Sequence, residues 1–131
     1  MKVINPVLPG FNPDPSLVRV GDDYYIATST FEWFPGICIH HSKDLVNWEI
    51  LSYALTDETK FDIKGMDTAC GIWAPNLTYD NGTFYLIYTI VYTNRNRFKD
   101  THNFMVTASD PKGPWSDPIP LNKMGFDPSL F

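Results

Sequence analysis

Cysteine, histidine and basic side chains are scarce in this sequence, and each scarcity closes off a class of function. Cys38 and Cys70 are the only 2 cysteines in 131 residues, too few for a disulfide scaffold. With no sign of export beside them, both are expected to be reduced, buried and inert. The 3 histidines, His40, His41 and His102, form no metal-ligand spacing with either cysteine, so no zinc site is expected. Lys and Arg number 10 against 15 Asp and Glu, and a net charge of −5 opposes the basic surface that nucleic acid requires. No run of about 18 apolar residues exists to cross a membrane as a helix. Met1-Lys2-Val3-Ile4-Asn5-Pro6 lacks the apolar stretch and small-residue cleavage site of a secretory leader, which makes the cytoplasm the expected location.

Aromatic residues, by contrast, make up 15% of the chain within a 44% hydrophobic content, ample for a packed core. An acidic, ring-rich protein of this kind suits a neutral, ring-shaped ligand such as a sugar. The main organising signal is a repeat. Asn12-Pro13-Asp14-Pro15-Ser16-Leu17 returns as Gly125-Phe126-Asp127-Pro128-Ser129-Leu130, 113 positions later. An altered copy, Ala74-Pro75-Asn76-Leu77, lies 60 positions after the first, and Tyr24-Tyr25-Ile26 then falls on Phe84-Tyr85-Leu86.

Self-similarity at such intervals marks a fold assembled from like supersecondary units, here units of strands. Pro15 to Val20 is a short apolar run, Gly21-Asp22-Asp23 is a turn, and Tyr24 to Thr30 is aromatic and β-branched. In the second unit, Asn81-Gly82 accepts positive φ in a tight hairpin, with Thr83 to Tyr92 as the returning strand. Third strands are expected over Gly36 to Ser42 and Phe104 to Ser109, each leading to a Ser-based turn and a tryptophan. Ser42 to Ser109 and Trp48 to Trp115 are both 67 apart, so the polar stretch Thr93 to Asn103 reads as an inserted loop. Its Arg95, Arg97 and Lys99 read as solvated charges with no catalytic role.

Four-stranded units around an axis make a propeller, with the first strand of each unit lining the central channel. The units read as about 14–55 and 73–121, with a third starting at 125–131. Asp14, Ala74 and Asp127 then occupy equivalent places and converge on one cavity. A single Asp-Pro is usually turn punctuation. Two in a matching six-residue frame at unit starts instead suggest carboxyl groups flanking a sugar-sized space, with Ala74 leaving room between them. The following prolines are expected to keep Asp14 and Asp127 extended and rigidly placed. Trp73, just before Ala74, is the candidate for stacking on the apolar face of a sugar. Phe31-Glu32-Trp33-Phe34 should lie near the same rim, with Phe31 divided between core and pocket. Trp48 and Trp115 read as core between units.

Together these residues resemble glycoside hydrolase family 43, most closely its β-xylosidase branch, whose members often also act as α-L-arabinofuranosidases. The resemblance covers Asn5 to Ser16, Thr30 to Ile37, Gly71 to Leu77 and Gly125 to Ser129. It implies an all-β, five-bladed propeller that hydrolyses glycosidic bonds with inversion. It assigns Asp14 as the general base and Asp127 as the residue that raises the pKa of the catalytic acid and orients it. It places Trp73, Ala74 and Phe31 around the terminal sugar. No cofactor is implied by the residues present, although a cation can sit in the central channel of family members.

The family's general acid is a glutamate on a later blade, and Glu32, Glu49 and Glu58 do not match its motif. Intervals of 60 and 53 place about 2.3 blades here, so this stretch alone is expected to be inactive and to need the rest of the propeller or to self-associate. The expected partner is a small xylo-oligosaccharide, with neither nucleic acid nor membrane. The alternatives are a non-catalytic sugar-binding propeller and an endo-arabinanase.

Overall fold

Two tight hairpins organise the chain. A computed structural model describes residues 3–95 and 97–131; Met1 and Lys2, at the start of the stretch tested as a leader, and Asn96, inside the expected loop, lie outside the described residues. Val20 pairs with Asp23 across Gly21-Asp22, and Asp80 pairs with Thr83 across Asn81-Gly82. Asn81 and Gly82 take φ of 46° and 82°, the left-handed pair that matches the twist of the flanking strands.

From these turns grow two four-stranded antiparallel sheets, each in simple sequence order. The first contains β1 (Ser16–Val20), β2 (Asp23–Thr28), β3 (Gly36–Ser42) and β4 (Glu49–Leu55). The second contains β5 (Gly71–Asp80), β6 (Thr83–Thr93), β7 (Asp100–Ala108) and β8 (Ile119–Asn122). No helix occurs among the described residues.

The loop expected from Thr93 to Asn103 is shorter than the sequence suggested. β6 runs on through Thr93 and β7 begins at Asp100, so Asp100 to Asn103 belong to a strand. These polar residues are held by cross-strand bonds: the Thr89 hydroxyl donates to Asn103 Oδ1 at 2.6 Å, and Asn103 Nδ2 donates to Asn122 Oδ1 at 2.8 Å. The third strands are also offset differently. Tyr24 pairs with Ser42 and its equivalent Phe84 with Ala108, an offset of 66 rather than 67.

The sheets share one core. Ala27, Ile37, Ile39, Ala54 and Leu55 of the first meet Ile72, Leu77, Leu86, Tyr88, Ile90 and Val106 of the second. Each large side chain fully withdrawn from water there contributes about 1.5–3 kcal/mol. Trp115 packs against this core as expected. Trp48 does not; it is half-buried at the turn before β4, and its indole N–H donates to the Leu45 carbonyl. Cys38 and Cys70 are free and buried, and burial pushes the Cys38 thiol up, away from the reactive thiolate.

Candidate active site

Asp14, Ala74 and Asp127 have φ of 52°, 28° and 57°, so the three unit starts share a left-handed backbone. This corrects the expectation that the following prolines hold Asp14 and Asp127 extended. A non-glycine residue in this region carries strain of order 1–3 kcal/mol, sustained only where the surroundings dictate it. Those surroundings are visible. Ser29 N donates to the Pro13 carbonyl at 3.0 Å, and Ala74 N donates to Ser29 Oγ at 2.9 Å. In β5 the ladder jumps from Trp73–Thr89 to Asn76–Ile87, a bulge that re-aims the chain at Ala74-Pro75.

Side chains two residues later stitch the unit starts together. Ser16 Oγ accepts the Leu77 N–H at 3.0 Å. Its equivalent in the second unit, Asn76, accepts the Leu130 N–H through Oδ1, also at 3.0 Å. Each unit thereby grips the leucine N–H of the next. The Asp127 carboxyl is raised from its ordinary value, first by partial burial and second by the Asp14 charge. Both aspartates remain exposed residues.

Aromatic rings run in an arc that includes the residues just before Ala74 and Asp127. Centroid separations are 5.8 Å for Phe11–Phe31, 6.2 Å for Phe31–Trp73 and 5.6 Å for Trp73–Phe126. Phe31, read from sequence as divided between core and pocket, belongs to this arc. Its main chain exchanges two hydrogen bonds with Ile72, of 3.0 and 2.9 Å. Gly71 makes that approach possible, since a Cβ there would sit 2.2 Å from the Phe31 carbonyl oxygen at a φ of +88°. Trp73 is oriented from its far end. Its indole N–H donates to the Ala69 carbonyl at 2.9 Å, and the Ala69 N–H donates to Glu32 Oε2 at 3.1 Å.

The basic loop is less freely solvated than its sequence suggested. Arg95 grips Asp67 through both Nε and a terminal nitrogen, which holds the Asp67 carboxyl below its ordinary value. Lys99 Nζ lies 5.2 Å from the Phe126 ring centroid, and Arg97 is exposed. Among the glutamates, Glu32 is engaged by Ala69 and Glu49 approaches His41 Nδ1 at 3.3 Å, while Glu58 is exposed. Among the described residues no group of three or more His, Cys, Asp or Glu could hold an ion. A hollow of about 380 Å³ beside the first sheet is lined by Phe11, Ser29, Trp33 and His40 among others, and includes neither aspartate.

Sequence reading missed Phe126, Phe11 and Ser29. Phe126 was legible in principle, because it precedes Asp127 as Trp73 precedes Ala74. Ser29 needed the hairpin register, which, carried two residues beyond Ser16–Ala27, sets it opposite Asp14.

Two like four-stranded antiparallel sheets, with aspartates at two of three left-handed unit starts, define an all-β repeat protein. More particularly, the chain belongs to the glycosyl hydrolases family 43, whose model matches residues 3–131. It is 58% identical over 130 residues to "Xylosidase/arabinosidase 43B" of Humicola insolens, covering 99% of this chain and 24% of that protein. It is 56% identical over 131 residues to "Beta-xylosidase" of Bacillus subtilis (strain 168), covering 100% of this chain and 25% of the relative. The crystal structure of xylan beta-1,4-xylosidase from Bacillus halodurans C-125 superposes with a TM-score of 0.96 at 63% identity, over 99% of this chain and 25% of that one. The chain thus spans about a quarter of the length of these relatives.

Proposed function

We propose that the protein carrying this chain is an inverting glycoside hydrolase that removes terminal xylose, with arabinose as a second terminal sugar, from xylo-oligosaccharides. Its scaffold in this reading is a five-bladed β-propeller, with 14–55 and 73–121 as the first two blades and 125–131 opening the third. The carrying observation is that Asp14 and Asp127, 113 residues apart, open like units on the same left-handed backbone, with the Asp14 charge helping to raise the Asp127 carboxyl and Phe126, next to Asp127, ending an arc of four aromatic rings. High identity to relatives named as a xylosidase/arabinosidase and a β-xylosidase supports the sugar assignment.

In this mechanism Asp14 takes a proton from water on the face opposite the leaving group. Inverting pairs stand roughly 6.5–9.5 Å apart to admit that water. A glutamate outside this chain protonates the leaving oxygen, and the negative charge of Asp127 keeps that acid protonated until the bond breaks. Trp73 and Phe31 stack against the terminal sugar, and Ala74 leaves space for its ring. The stretch by itself lacks the acid and is expected to show no turnover.

The test uses the full-length gene product and an aryl β-D-xyloside. NMR of the first-formed sugar should show inverted xylose, and Asp14→Asn should lower kcat about 10²–10⁴-fold. Retained configuration, or an Asp14→Asn variant as active as wild type, would refute the reading.

A further inference from the structure

We infer that Ser29 is a positioning residue that aims one oxygen of Asp14 at the attacking water, and that it can do so only while the two sheets are docked. The inference rests on the reading of Asp14 as general base. Ser29 follows β2 and is 1% exposed. Its Oγ lies 2.5 Å from Asp14 Oδ2 and 2.9 Å from Ala74 N.

The direction of each bond follows from chemistry. An amide N–H can only donate, so Ala74 occupies a lone pair of the hydroxyl, and the single hydroxyl proton is left for the carboxylate. A hydrogen bond to an ionised group is among the strong ones, and this one pins the carboxylate plane through Oδ2. Oδ1 makes no hydrogen bond among the described residues and is the oxygen that receives the proton. As an O–H bond of water breaks, its proton passes to Oδ1 and its electron pair forms the new bond to the anomeric carbon. The old glycosidic bond leaves with its pair on the departing oxygen, which takes the proton of the general acid.

Ala74 belongs to the second sheet, while Asp14 stands at the entry to the first. The hydroxyl between them ties the aim of the base to the seam between units. A serine that merely packed beside the aspartate would not need its proton directed by a donor from the neighbouring sheet. Nor would it sit between two residues held at left-handed φ.

The experiment compares kcat and KM of the full-length gene product for an aryl β-D-xyloside in five forms: wild type, Ser29→Ala, Ser29→Thr, Asp14→Asn and the double variant Ser29→Ala with Asp14→Asn. Ser29→Ala should lower kcat about 10- to 100-fold while KM stays within about twofold. Ser29→Thr, which keeps the hydroxyl, should recover most of the loss. In the Asp14→Asn background Ser29→Ala should cost nothing more. An inactive Asp14→Asn beside a fully active Ser29→Ala would overturn the role of Ser29 and leave the base standing. Equal losses from Ser29→Ala in both backgrounds would reduce Ser29 to a structural residue and overturn it too. A fully active Asp14→Asn would overturn the base itself. Should Ser29→Ala not fold, Ser29→Cys keeps the size with a weaker donor, and a wild-type kcat there would equally sink the inference.

Discussion

In the second sheet Leu86, Tyr88, Phe104 and Val106 hold the ladder positions that Ile26, Thr28, Cys38 and His40 hold in the first. Leu86, Tyr88 and Val106 are buried in the core shared with the first sheet, and Phe104 packs against it. Ile26, Thr28, Cys38 and His40 lie outside that core, although all four are buried. The Thr28 hydroxyl and His40 Nε2 are buried without a hydrogen-bond partner among the described residues, a condition the Tyr88 hydroxyl shares. Burial also pushes the His40 pKa down, which keeps the imidazole neutral. One strand plan thus supports an apolar face in one unit and a mixed face in the other. Backbone repetition sets where residues point, and side-chain chemistry decides what each face can meet.

The sharpest way to break the comparison is at the joint between the sheets. Gly71→Ala would drive a Cβ into the Phe31 carbonyl at 2.2 Å, whereas Gly82, at a similar φ of +82°, has nothing within 4 Å of such a Cβ. Urea unfolding should show a loss of about 3–5 kcal/mol for Gly71→Ala and about 1–2 kcal/mol for Gly82→Ala. Equal losses would mean that the dihedral alone matters and that the Phe31–Ile72 clasp is incidental.

The two faces can be weighed next. Leu86→Ala empties a position with 0% exposure inside the shared core and should cost about 2–5 kcal/mol. Ile26→Ala, on the mixed face, should fall near the bottom of that range. A reversed order would mean that the mixed face carries the larger share of stability.

The smallest effect concerns charge. Burial and Asp14 raise Asp127 above its unfolded value, so its ionised form costs stability above the folded pKa, and the cost is relieved as pH falls through it. Asp127→Asn should therefore raise Tm slightly at pH 7, with the difference from wild type vanishing once pH drops below the unfolded value of 3.8. A variant less stable than wild type at pH 7 would show that the carboxylate is held favourably.

Much of this architecture was legible because its signals are local. Asn81-Gly82 marks a tight turn wherever it occurs between apolar runs, and the repeated Asp-Pro-Ser-Leu marks the unit starts. What stayed hidden depends on partners distant in sequence. Thr101, His102 and Asn103 read as loop because they are polar, yet they lie in β7, where Thr89 and Asn122 satisfy Asn103. The left-handed backbone at Asp14 and Asp127 ran against the local rule for residues before proline. At Asp14 it is sustained by contacts from Ser29. Of the site itself, Asp14, Trp73, Ala74 and Asp127 could be picked out by position, whereas Ser29 became visible only once the hairpin register was known.

That two acids so far apart in sequence share one electrostatic field is best tested by carbon-detected NMR titration of the Asp127 carboxyl, in wild type and in Asp14→Asn. Loss of the Asp14 charge should lower the Asp127 midpoint and leave only the elevation due to burial. An unchanged midpoint would place the two carboxylates outside each other's reach and contradict a common site.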